Sequence, residues 1–372
     1  MVLKQIELLN FRLHKNTSLN FSDKLNLIIG GNGQGKTSIL EAIYYLCTTK
    51  NLNLASESDA VSFLEPYFDV RGRYEDLTTN DARMFYDSVR NKKNFYVNDK
   101  QVANASEVIG KFPVVSLIQS DHAITLGAPA DRRRFVDSVI SQASHTYLEI
   151  LLDYNKTLRQ RSSLLWRIKE SGDPSLYDQL DAWTESLINT GSEIIRHRIK
   201  FVHEFNEYLV QAYNQIVEDK EYPKIVYDSI PEIELENVAE KFREELVANS
   251  DDEIRRAMNL VGPHRDDFIF YINDLELKRF GSQGQHKTFQ IALRFGQFFF
   301  IKDKIGRTPI FLMDDVFGEL DSYRAGRISE HVSSIGQTFI TMTDLTRTEE
   351  LNLSNGNVLI KVENGTASYI NQ

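Results

Sequence analysis

Eight consecutive residues near the start of the chain have the types and spacing of a phosphate-binding loop. They match the pattern G-x-x-x-x-G-K-[ST] and are Gly30, Gly31, Asn32, Gly33, Gln34, Gly35, Lys36 and Thr37. The glycines allow the backbone to fold around an anion, so that N–H groups point at phosphate oxygens. In such loops the lysine reaches the β- and γ-phosphates and the threonine hydroxyl holds Mg²⁺. The pattern predicts a nucleoside triphosphate as ligand; the alternative is a glycine-rich turn that binds nothing.

A second pair of chemically suitable residues follows an apolar run late in the chain. The segment 310–313 reads as a buried strand, and Asp314 and Asp315 come directly after it. Ligands of open α/β sheets bind at the carboxyl edge of the strands. Asp314 is therefore a candidate Mg²⁺ ligand, directly or through water, and Asp315 could orient or deprotonate an attacking water. The alternative is a strand followed by an acidic turn.

A third candidate motif, SQGQHKT, opens a helix in the last third of the chain. It contains Ser282, Gly284 and Gln285, and the helix body is expected over 288–301. Serine is a favoured N-cap and glycine leaves the backbone open to approach. On its own the motif is explained equally well by a plain serine-capped helix.

Hydrophobic periodicity indicates the elements that must position these residues. Lys24 to Ile29 predicts a buried strand before the phosphate loop, and Ser38 to Cys47 predicts a helix after it. Strands and turns dominate the first 120 residues. From about Ala130 long helices are expected, with a break at 171–174, which indicates an antiparallel bundle or a short coiled-coil-like arm. Strand patterns return near 268–272.

Composition excludes several classes of protein. The 372 residues suffice for two domains, and 41% hydrophobic with 26% charged residues is typical of a soluble globular chain. No apolar run of about 18 residues is present, so no transmembrane helix is expected. The single cysteine, Cys47, is expected in the core and fits a reducing cytoplasm. The net charge of −10 argues against a generic nucleic-acid coat but not against a local basic face.

The order of these motifs resembles the ABC-type ATPase heads of the SMC and DNA-repair class, and within it the RecF family of bacterial recombination mediators. The motifs are GGNGQGKT, RRRFVD from Arg132, GPHRDD from Gly262, SQGQHKT and FLMDDVFGELD. The resemblance covers nearly the whole chain. It implies an α/β fold: an ABC-type ATPase head, with a mixed sheet, a P-loop core and an antiparallel β subdomain, plus an inserted helical arm. The implied domains are 1–130 and 259–372 for the two parts of the head and 131–258 for the arm.

The resemblance also implies roles for matching positions. The SQGQ residues Ser282, Gly284 and Gln285 would be a signature motif that contacts ATP bound by a second copy, which gives an ATP-dependent homodimer. Lys36, Asp315 and Gln119 would be catalytic, although Gln119 could equally be a plain surface glutamine.

Two acids depart from the pattern of transporter-like heads, and a third has a simpler explanation. Asp315 stands where transporter-like heads have glutamate, and Asp344 where they have a switch histidine, which suggests slow hydrolysis. Asp321, in the sequence Glu319-Leu320-Asp321, could simply be an N-cap.

The implied function is that of a weak ATPase used as a switch, with ATP and Mg²⁺ as cofactors. Its implied partners are DNA at gaps or at single-strand/double-strand junctions and mediator proteins of the RecR and RecO kind. The implied processes are DNA replication, recombinational repair with recombinase loading, and the SOS response, in the cytoplasm. The alternative is a P-loop kinase or NTPase that acts on a small molecule; the SQGQ motif and the late Asp-Asp strand argue against it.

An acidic chain needs local basic surface to hold DNA. Arg132-Arg133-Arg134 is the densest basic run, and because its side chains fan over about 200° of a helix, at least one could pack inward. Further cations decorate the following helices: Arg159, Arg161, Arg167, Lys169, Arg196, Arg198 and Lys200. For each of them the alternative is a solvated helix face.

Overall fold

The structure of the protein is a computed structural model. It describes residues 1–53, 56–217, 221–319, 322–343 and 356–370, without the side chains of residues 319, 322, 333 and 334. The chain divides into two compact units. The first unit contains Met1–Asp121, Ala212–Asp219 and Gln290–Gln372, and the second contains His122–Gln211 and Lys220–Phe289. The functional division into a head and an arm, with limits at 130/131 and 258/259, stays a prediction.

The described residues form fifteen strands. They are β1 (Val2–Phe11), β2 (His14–Asn20), β3 (Leu25–Ile29), β4 (Tyr67–Glu75), β5 (Thr79–Asp87), β6 (Lys92–Val97), β7 (Lys100–Gln101), β8 (Val114–Leu117), β9 (Pro223–Asp228), β10 (Asp267–Ile272), β11 (Leu275–Glu276), β12 (Ile310–Asp314), β13 (Thr338–Met342), β14 (Val358–Glu363) and β15 (Thr366–Tyr369).

The same residues form nine α-helices. They are α1 (Lys36–Thr48), α2 (His122–Leu126), α3 (Pro129–Ala143), α4 (His145–Ser171), α5 (Tyr177–Ile216), α6 (Val238–Arg256), α7 (Leu277–Phe280), α8 (Gln283–Ile305) and α9 (Ser322–Ile335). Short 3₁₀ turns occur at Glu57–Ala60, Ala105–Glu107, Gln119–Asp121, Pro174–Leu176 and Phe317–Glu319.

A six-stranded sheet in the first unit carries the phosphate loop. Its order is β15-β14-β3-β13-β12-β8, and all neighbours are parallel except β14 and β15. All residues of β3 and β13 are buried, as expected for parallel strands covered on both faces. β3 is therefore apolar at every position except Asn26, rather than alternating between apolar and polar residues. Because the strands are parallel, β8, β12, β13 and β3 all end at one edge of the sheet, which is where the candidate site residues follow them.

A second six-stranded sheet of the first unit is antiparallel, with the order β2-β1-β4-β5-β6-β7. Helix α1 contacts β1, β4 and β5 of this sheet and also β8, β12 and β13 of the parallel sheet. One hydrophobic core, which includes Ile39, Ile43, Phe68 and Leu312, spans both sheets. The helix that follows the phosphate loop is thus anchored on two sides, so the loop has a rigid base.

The second unit consists of helices and one small sheet. Its sheet has the order β11-β10-β9, and α3 packs on α4 and on β10. A small apolar cluster (Leu164, Leu165, Ile168, Leu176 and Leu180) joins α4 to the turn after it.

The predicted fold class, α/β with a mixed parallel sheet, an antiparallel β subdomain and a helical block, is confirmed. The strand, loop and helix around residues 24–47 also agree with the prediction. Three features were not predicted: the single continuous helix over residues 177–216, and strands β5 and β9. No helix in the described residues combines the length and apolar character needed to cross a membrane.

Candidate functional site

The phosphate loop leads from the buried strand β3 into α1. Gly33 and Gly35 have φ angles of +72° and +106°, a backbone region that residues with side chains rarely adopt. Gly35 is also the N-cap of α1, and no described side chain caps this helix. The first N–H groups of α1 therefore have no side-chain acceptor, which suits the binding of an anion.

Gly30 sets the point at which the loop leaves the sheet. Its N–H donates to the carbonyl oxygen of Met342 at 3.2 Å. A Cβ atom at Gly30 would lie 2.3 Å from the carbonyl oxygen of Val362, so a larger residue would force β14 away from β3. The glycine is thus required by the two strands that flank β3.

The Lys36 ammonium is buried and is bonded to the loop itself. Its Nζ donates to the carbonyl oxygens of Gly30 at 2.6 Å and Gly31 at 2.9 Å. Burial lowers the pKa of this ammonium, and the charges of Asp315 and Asp314 oppose that shift. In the described part of the chain Lys36 forms no ion pair, and the hydrogen bonds of its ammonium go to neutral oxygens.

Thr37 and Asp314 meet although they lie far apart in sequence. The Thr37 hydroxyl donates to the Asp314 carboxylate at 2.9 Å from Oδ1 and 3.1 Å from Oδ2. Thr341, on the neighbouring strand β13, donates to Oδ1 of the same carboxylate at 2.7 Å. Both predicted metal-binding residues are therefore brought together at the carboxyl edge of the parallel sheet.

The donor set formed by Thr37 and Asp314 fits Mg²⁺. Both supply hard oxygen atoms, and Mg²⁺ typically takes one or two protein oxygens and keeps several waters. The described residues contain no cluster of three or more His, Cys, Asp or Glu side chains that could hold a metal. An ion here would therefore depend on phosphate and water for its remaining ligands.

Asp315 ends strand β12 in a left-handed turn. Its φ is +51°, and its N–H donates to Thr341 Oγ1 at 2.9 Å. Aspartate tolerates this conformation better than most residues that carry a side chain. The turn leaves Asp314 and Asp315 together where the strand ends.

Gln119 reaches the same edge of the sheet from a different strand. It opens the 3₁₀ turn just after β8, and β8 pairs with β12 in parallel, with Leu117 opposite Met313. Gln119 therefore follows β8 at the edge where Asp314 follows β12. Its role as a sensing or catalytic glutamine stays a prediction.

The SQGQ motif lies in the second unit and forms a reciprocal cap at the start of α8. Ser282 Oγ accepts from the Gln285 N–H at 3.2 Å, and Gln285 Oε1 accepts from the Ser282 N–H at 2.9 Å. Gln285 Nε2 also donates to Glu221 at 2.7 Å, and the Gly284 carbonyl accepts from Thr288. The serine-capped helix considered as the simpler explanation is thus present, and a contact with nucleotide stays a prediction.

Sequence reasoning missed a cleft of about 460 Å³ beside the phosphate loop. The loop residues line it together with Arg12, Glu41, Asp59 and Val61. Arg12 donates to both Glu41 oxygens at 2.8 and 3.1 Å and to the Asp59 carbonyl at 2.8 Å. Only the chain reversal between β1 and β2 places Arg12 there, and no local motif could have indicated it.

Sequence reasoning also missed His14, which is hydrogen-bonded to the phosphate loop. Its Nε2 lies 2.9 Å from the Gly35 carbonyl oxygen and its Nδ1 lies 3.1 Å from Thr17 Oγ1. Burial lowers the pKa of this imidazole, against hydrogen bonds to the carbonyls of Gly35 and Gly365 that raise it. Because a carbonyl can only accept, Nε2 carries the hydrogen and donates to Gly35.

The turn between β14 and β15 clamps the other side of the loop. Gln34 accepts from the N–H groups of Asn364 at 2.7 Å, through its side chain, and of Gly365 at 3.0 Å, through its carbonyl. These bonds join residues near the two ends of the described chain. The conformation of the loop is therefore fixed by tertiary contacts as well as by its glycines.

The basic run at 132–134 is largely structural. Arg132 makes two 2.7 Å bonds to the Asp267 carboxylate, and Arg133 donates to the Asp266 carbonyl at 2.5 Å. Arg134 is exposed and pairs with Asp131. The expectation that part of this run packs inward is confirmed, since two of the three arginines are engaged by the fold.

Two other candidate DNA contacts are buried ion pairs. Arg161 binds Glu253 at 2.6 Å, and Arg198 binds Asp137 at 2.9 Å. The cations of the candidate set that remain exposed are Arg159, Arg167, Lys169 and Lys200.

Other predicted positions have simpler outcomes. Cys47 is buried, and burial raises the pKa of its thiol to about 12, so it is a core residue as expected. Leu320, Asp321 and Asp344 lie outside the described residues.

Comparison with known proteins agrees with this geometry. Residues 2–368 match the model of the RecF/RecN/SMC N terminal domain family. The chain is 40% identical over 356 residues to the DNA replication and repair protein RecF of Chloroherpeton thalassium, covering 92% of this chain and 95% of that protein. The RecF of Salinibacter ruber is 35% identical over 92% of this chain and 85% of its own length.

Solved structures give the same result at the level of the fold. A structure of the recombination mediator protein RecF-ATP in the RecFOR pathway superposes with a TM-score of 0.90 and 31% identity, covering 99% of this chain and 97% of that one. An SMC head bound to the C-winged helix domain of ScpA superposes with a TM-score of 0.57 and 13% identity over 100% of this chain and 97% of that one, which shows likeness of fold alone.

Proposed function

Because this chain belongs to the RecF/RecN/SMC N-terminal domain family, and within it to the RecF proteins of DNA replication and repair, we propose that it is an ATP-hydrolysing switch that binds DNA. One observation carries the proposal: Thr37 of the phosphate loop is bonded to Asp314, which lies 277 positions later in the chain. A phosphate loop and a strand-end carboxylate meet in this way where a triphosphate and its metal are bound together. The similar RecF-ATP structure supports ATP as the nucleotide.

The loop residues bind the phosphates in this proposal. Backbone N–H groups of the loop and of the first turn of α1 donate to phosphate oxygens. Lys36 Nζ exchanges its carbonyl partners Gly30 and Gly31 for the β- and γ-phosphates, which gain more from a cation than neutral carbonyls do. Thr37 and Asp314 hold Mg²⁺, which neutralises charge on the phosphates when it is bound.

Hydrolysis is assigned to the edge of the sheet beyond Asp314. Asp315 orients the attacking water or takes its proton, and Gln119 monitors that water from the end of β8. The left-handed turn at Asp315 fixes its backbone and so limits where its short side chain reaches. We infer slow turnover, which suits a switch rather than a motor.

The switch itself is a dimer that forms around ATP. The chain carries one phosphate loop and one SQGQ motif, so two copies placed head to tail supply two complete sites. Ser282, Gly284 and Gln285 then meet the γ-phosphate held by the other copy. As the cap of α8 these residues lie at a helix N-terminus, where the helix dipole favours an anion.

The biological role follows from the family. We propose that the ATP-bound dimer binds DNA at gaps or single-strand/double-strand junctions in the cytoplasm, with RecR- or RecO-like mediators as partners. It would support recombinase loading and the SOS response. Because hydrolysis of ATP would separate the two copies, the association of the dimer with DNA is temporary.

The decisive experiment is light scattering of the purified chain with and without ATP, Mg²⁺ and DNA. The wild type should double its mass with ATP, and DNA should increase turnover. Ser282→Arg should bind ATP as a monomer but fail to dimerise, because the long cation fills the space meant for phosphate. Val247→Arg, at an exposed position on α6, is the matched control and should dimerise.

Continued ATP-dependent dimerisation of Ser282→Arg would show that the SQGQ motif does not act across the dimer. Turnover that depends on a small metabolite and ignores DNA would overturn the DNA-switch function itself.

A further inference from the structure

Helix α4 carries an exposed basic surface that the fold does not use. Between Tyr154 and Lys169 the sequence contains no Asp or Glu, in a chain with 53 acidic and 43 basic residues. We call four exposed cations and one exposed aromatic residue of this stretch the α4 ridge: Lys156, Arg159, Trp166, Arg167 and Lys169. The ridge is thus a local reversal of the overall charge of the molecule.

Within the described residues the four cations of the ridge stay outside the ion pairs of the fold, although Asp173, beyond the end of α4, interacts with the charge of Arg167. Arg161, on the same helix, shows the contrast, since it is buried and paired with Glu253 at 2.6 Å. One side of α4 therefore uses its arginine for structure, while the other side presents cations to solvent.

Trp166 is the second, independent feature of the ridge. Its side chain is 59% exposed, whereas Trp183, the other tryptophan of the chain, packs against the apolar cluster at the end of α4. Trp166 lies seven residues after Arg159, so both project from one face of the helix about 10 Å apart. An exposed indole between cations offers a stacking face together with contacts for phosphates.

We propose that the α4 ridge binds single-stranded DNA, with the cations on the phosphates and Trp166 stacked on an unpaired base. Stacking requires a base that is free of its partner, so a strand with unpaired bases fits the ridge better than an intact duplex. This inference rests on the proposed DNA-binding function and names the surface that reads the single-stranded part of a gap.

The first test measures binding of a fluorescein-labelled dT oligonucleotide by anisotropy, with the full chain, ATP and Mg²⁺. Trp166→Ala should weaken single-strand binding at least about fivefold. Trp166→Phe should retain most of the affinity, because a phenyl ring still stacks. Binding of a fully paired duplex should be the same in all three proteins, which separates stacking from a general loss of structure.

The second test addresses the cations. Arg159→Ala/Arg167→Ala should weaken single-strand binding and lower the slope of log affinity against log salt by about 1.4, since two phosphate contacts are lost. The matched control is Arg255→Ala/Arg256→Ala on α6, where both arginines are exposed and pair with Asp252. The control should leave the slope unchanged.

A spectroscopic measurement tests whether the DNA lies at the α4 ridge. In a Trp183→Phe variant Trp166 is the only tryptophan, and the dT oligonucleotide should quench and shift its emission. The wild type could bind the oligonucleotide while the ridge variants bind it with the same affinity, or while Trp166 emission does not change. Either result would overturn this inference alone. A wild type that binds no DNA at all would overturn the proposed function and this inference with it.

Discussion

Lys36 of the phosphate loop and the buried arginines of the second unit are all cations in the protein interior, but the groups that they are bonded to differ. Lys36 is bonded only to the carbonyl oxygens of Gly30 and Gly31. Arg132 and Arg161, by contrast, are bonded to the carboxylates of Asp267 and Glu253. The first cation keeps its charge available, and the others are neutralised by contact.

This difference distinguishes a cation that is suited to bind an anion from cations that stabilise the fold. A buried cation held by neutral oxygens gains free energy when an anion arrives, whereas a cation already bound to a carboxylate gains little. The density of basic residues in the sequence therefore does not locate a ligand. What locates it is a buried charge that the fold holds without an ion pair.

The largest effect is expected from breaking a buried pair in the second unit. Arg161→Met removes bonds to Glu253, Asn259 and Thr184 and leaves the fully buried Glu253 carboxylate without its cation. The free energy of unfolding should fall by about 3–5 kcal/mol in urea titration. Arg159→Met, two residues away and exposed, should change it by less than about 0.5 kcal/mol. Equal stability of the two variants would contradict a structural role for the Arg161 charge.

A large effect on activity, rather than on stability, is expected at the phosphate loop. Lys36→Arg keeps the charge, but the planar guanidinium does not fit where a compact ammonium bonds the Gly30 and Gly31 carbonyls. ATP hydrolysis should fall about 100-fold, with a smaller change in nucleotide affinity and little change in stability. Lys50→Arg, at an exposed lysine just after α1, is the control. Near-normal turnover in Lys36→Arg would contradict the role given to this residue.

A pH effect of intermediate size is expected at His264. Burial, helped by the charge of Arg265, lowers the pKa of His264 to about 4. The unfolded imidazole takes up a proton below about pH 6.5 and the folded one only near pH 4, so stability is complete above this range and is lost on acidification.

His264→Gln should remove this dependence, so that the wild type loses about 2–3 kcal/mol more than the variant between pH 7 and pH 4. The measurement is urea unfolding at a series of pH values. His145→Gln, at an exposed histidine on α4, should follow the wild type. Parallel pH profiles for His264→Gln and the wild type would show that the imidazole is not kept neutral by the fold.

The smallest effect is expected at the end of the basic run. Arg134 is exposed and pairs with Asp131 one turn away on the same helix. Arg134→Ala should change the free energy of unfolding by no more than about 0.5 kcal/mol. Arg132→Ala should cost several times more in the same titration, because Asp267 then loses both of its bonds to the guanidinium. Similar losses in the two variants would erase the distinction between buried and exposed members of the run.

The sequence was sufficient for those parts of the site that depend on local patterns. Gly30 to Thr37 could be recognised because the loop, the strand before it and the helix after it lie together in the sequence. Asp314 and Asp315 could be placed at a strand end, since a parallel strand buried on both faces appears as an apolar run. Their meeting with Thr37 then followed from the rule that ligands bind at the carboxyl edge.

Residues whose position depends on distant contacts could not be predicted. Arg12 and His14 reach the loop only because the turn between β1 and β2 lies beside it, and neither belongs to a motif. The same limit explains the arginines, because whether Arg161 faces Glu253 or solvent depends on where α6 packs. Strand β9 was missed because its partner β10 lies about 40 positions later in the chain.

The clamp on Gln34 has a consequence for how the protein is made. Gln34 and its partner Asn364 are separated by 330 positions, and both strands that flank β3 also belong to the last part of the sequence. On the ribosome the phosphate loop therefore emerges before its supports, and Asn364 follows Gln34 by 330 positions. A nascent copy that lacks β13 and β14 has the motif but not the contacts that fix the conformation of the loop.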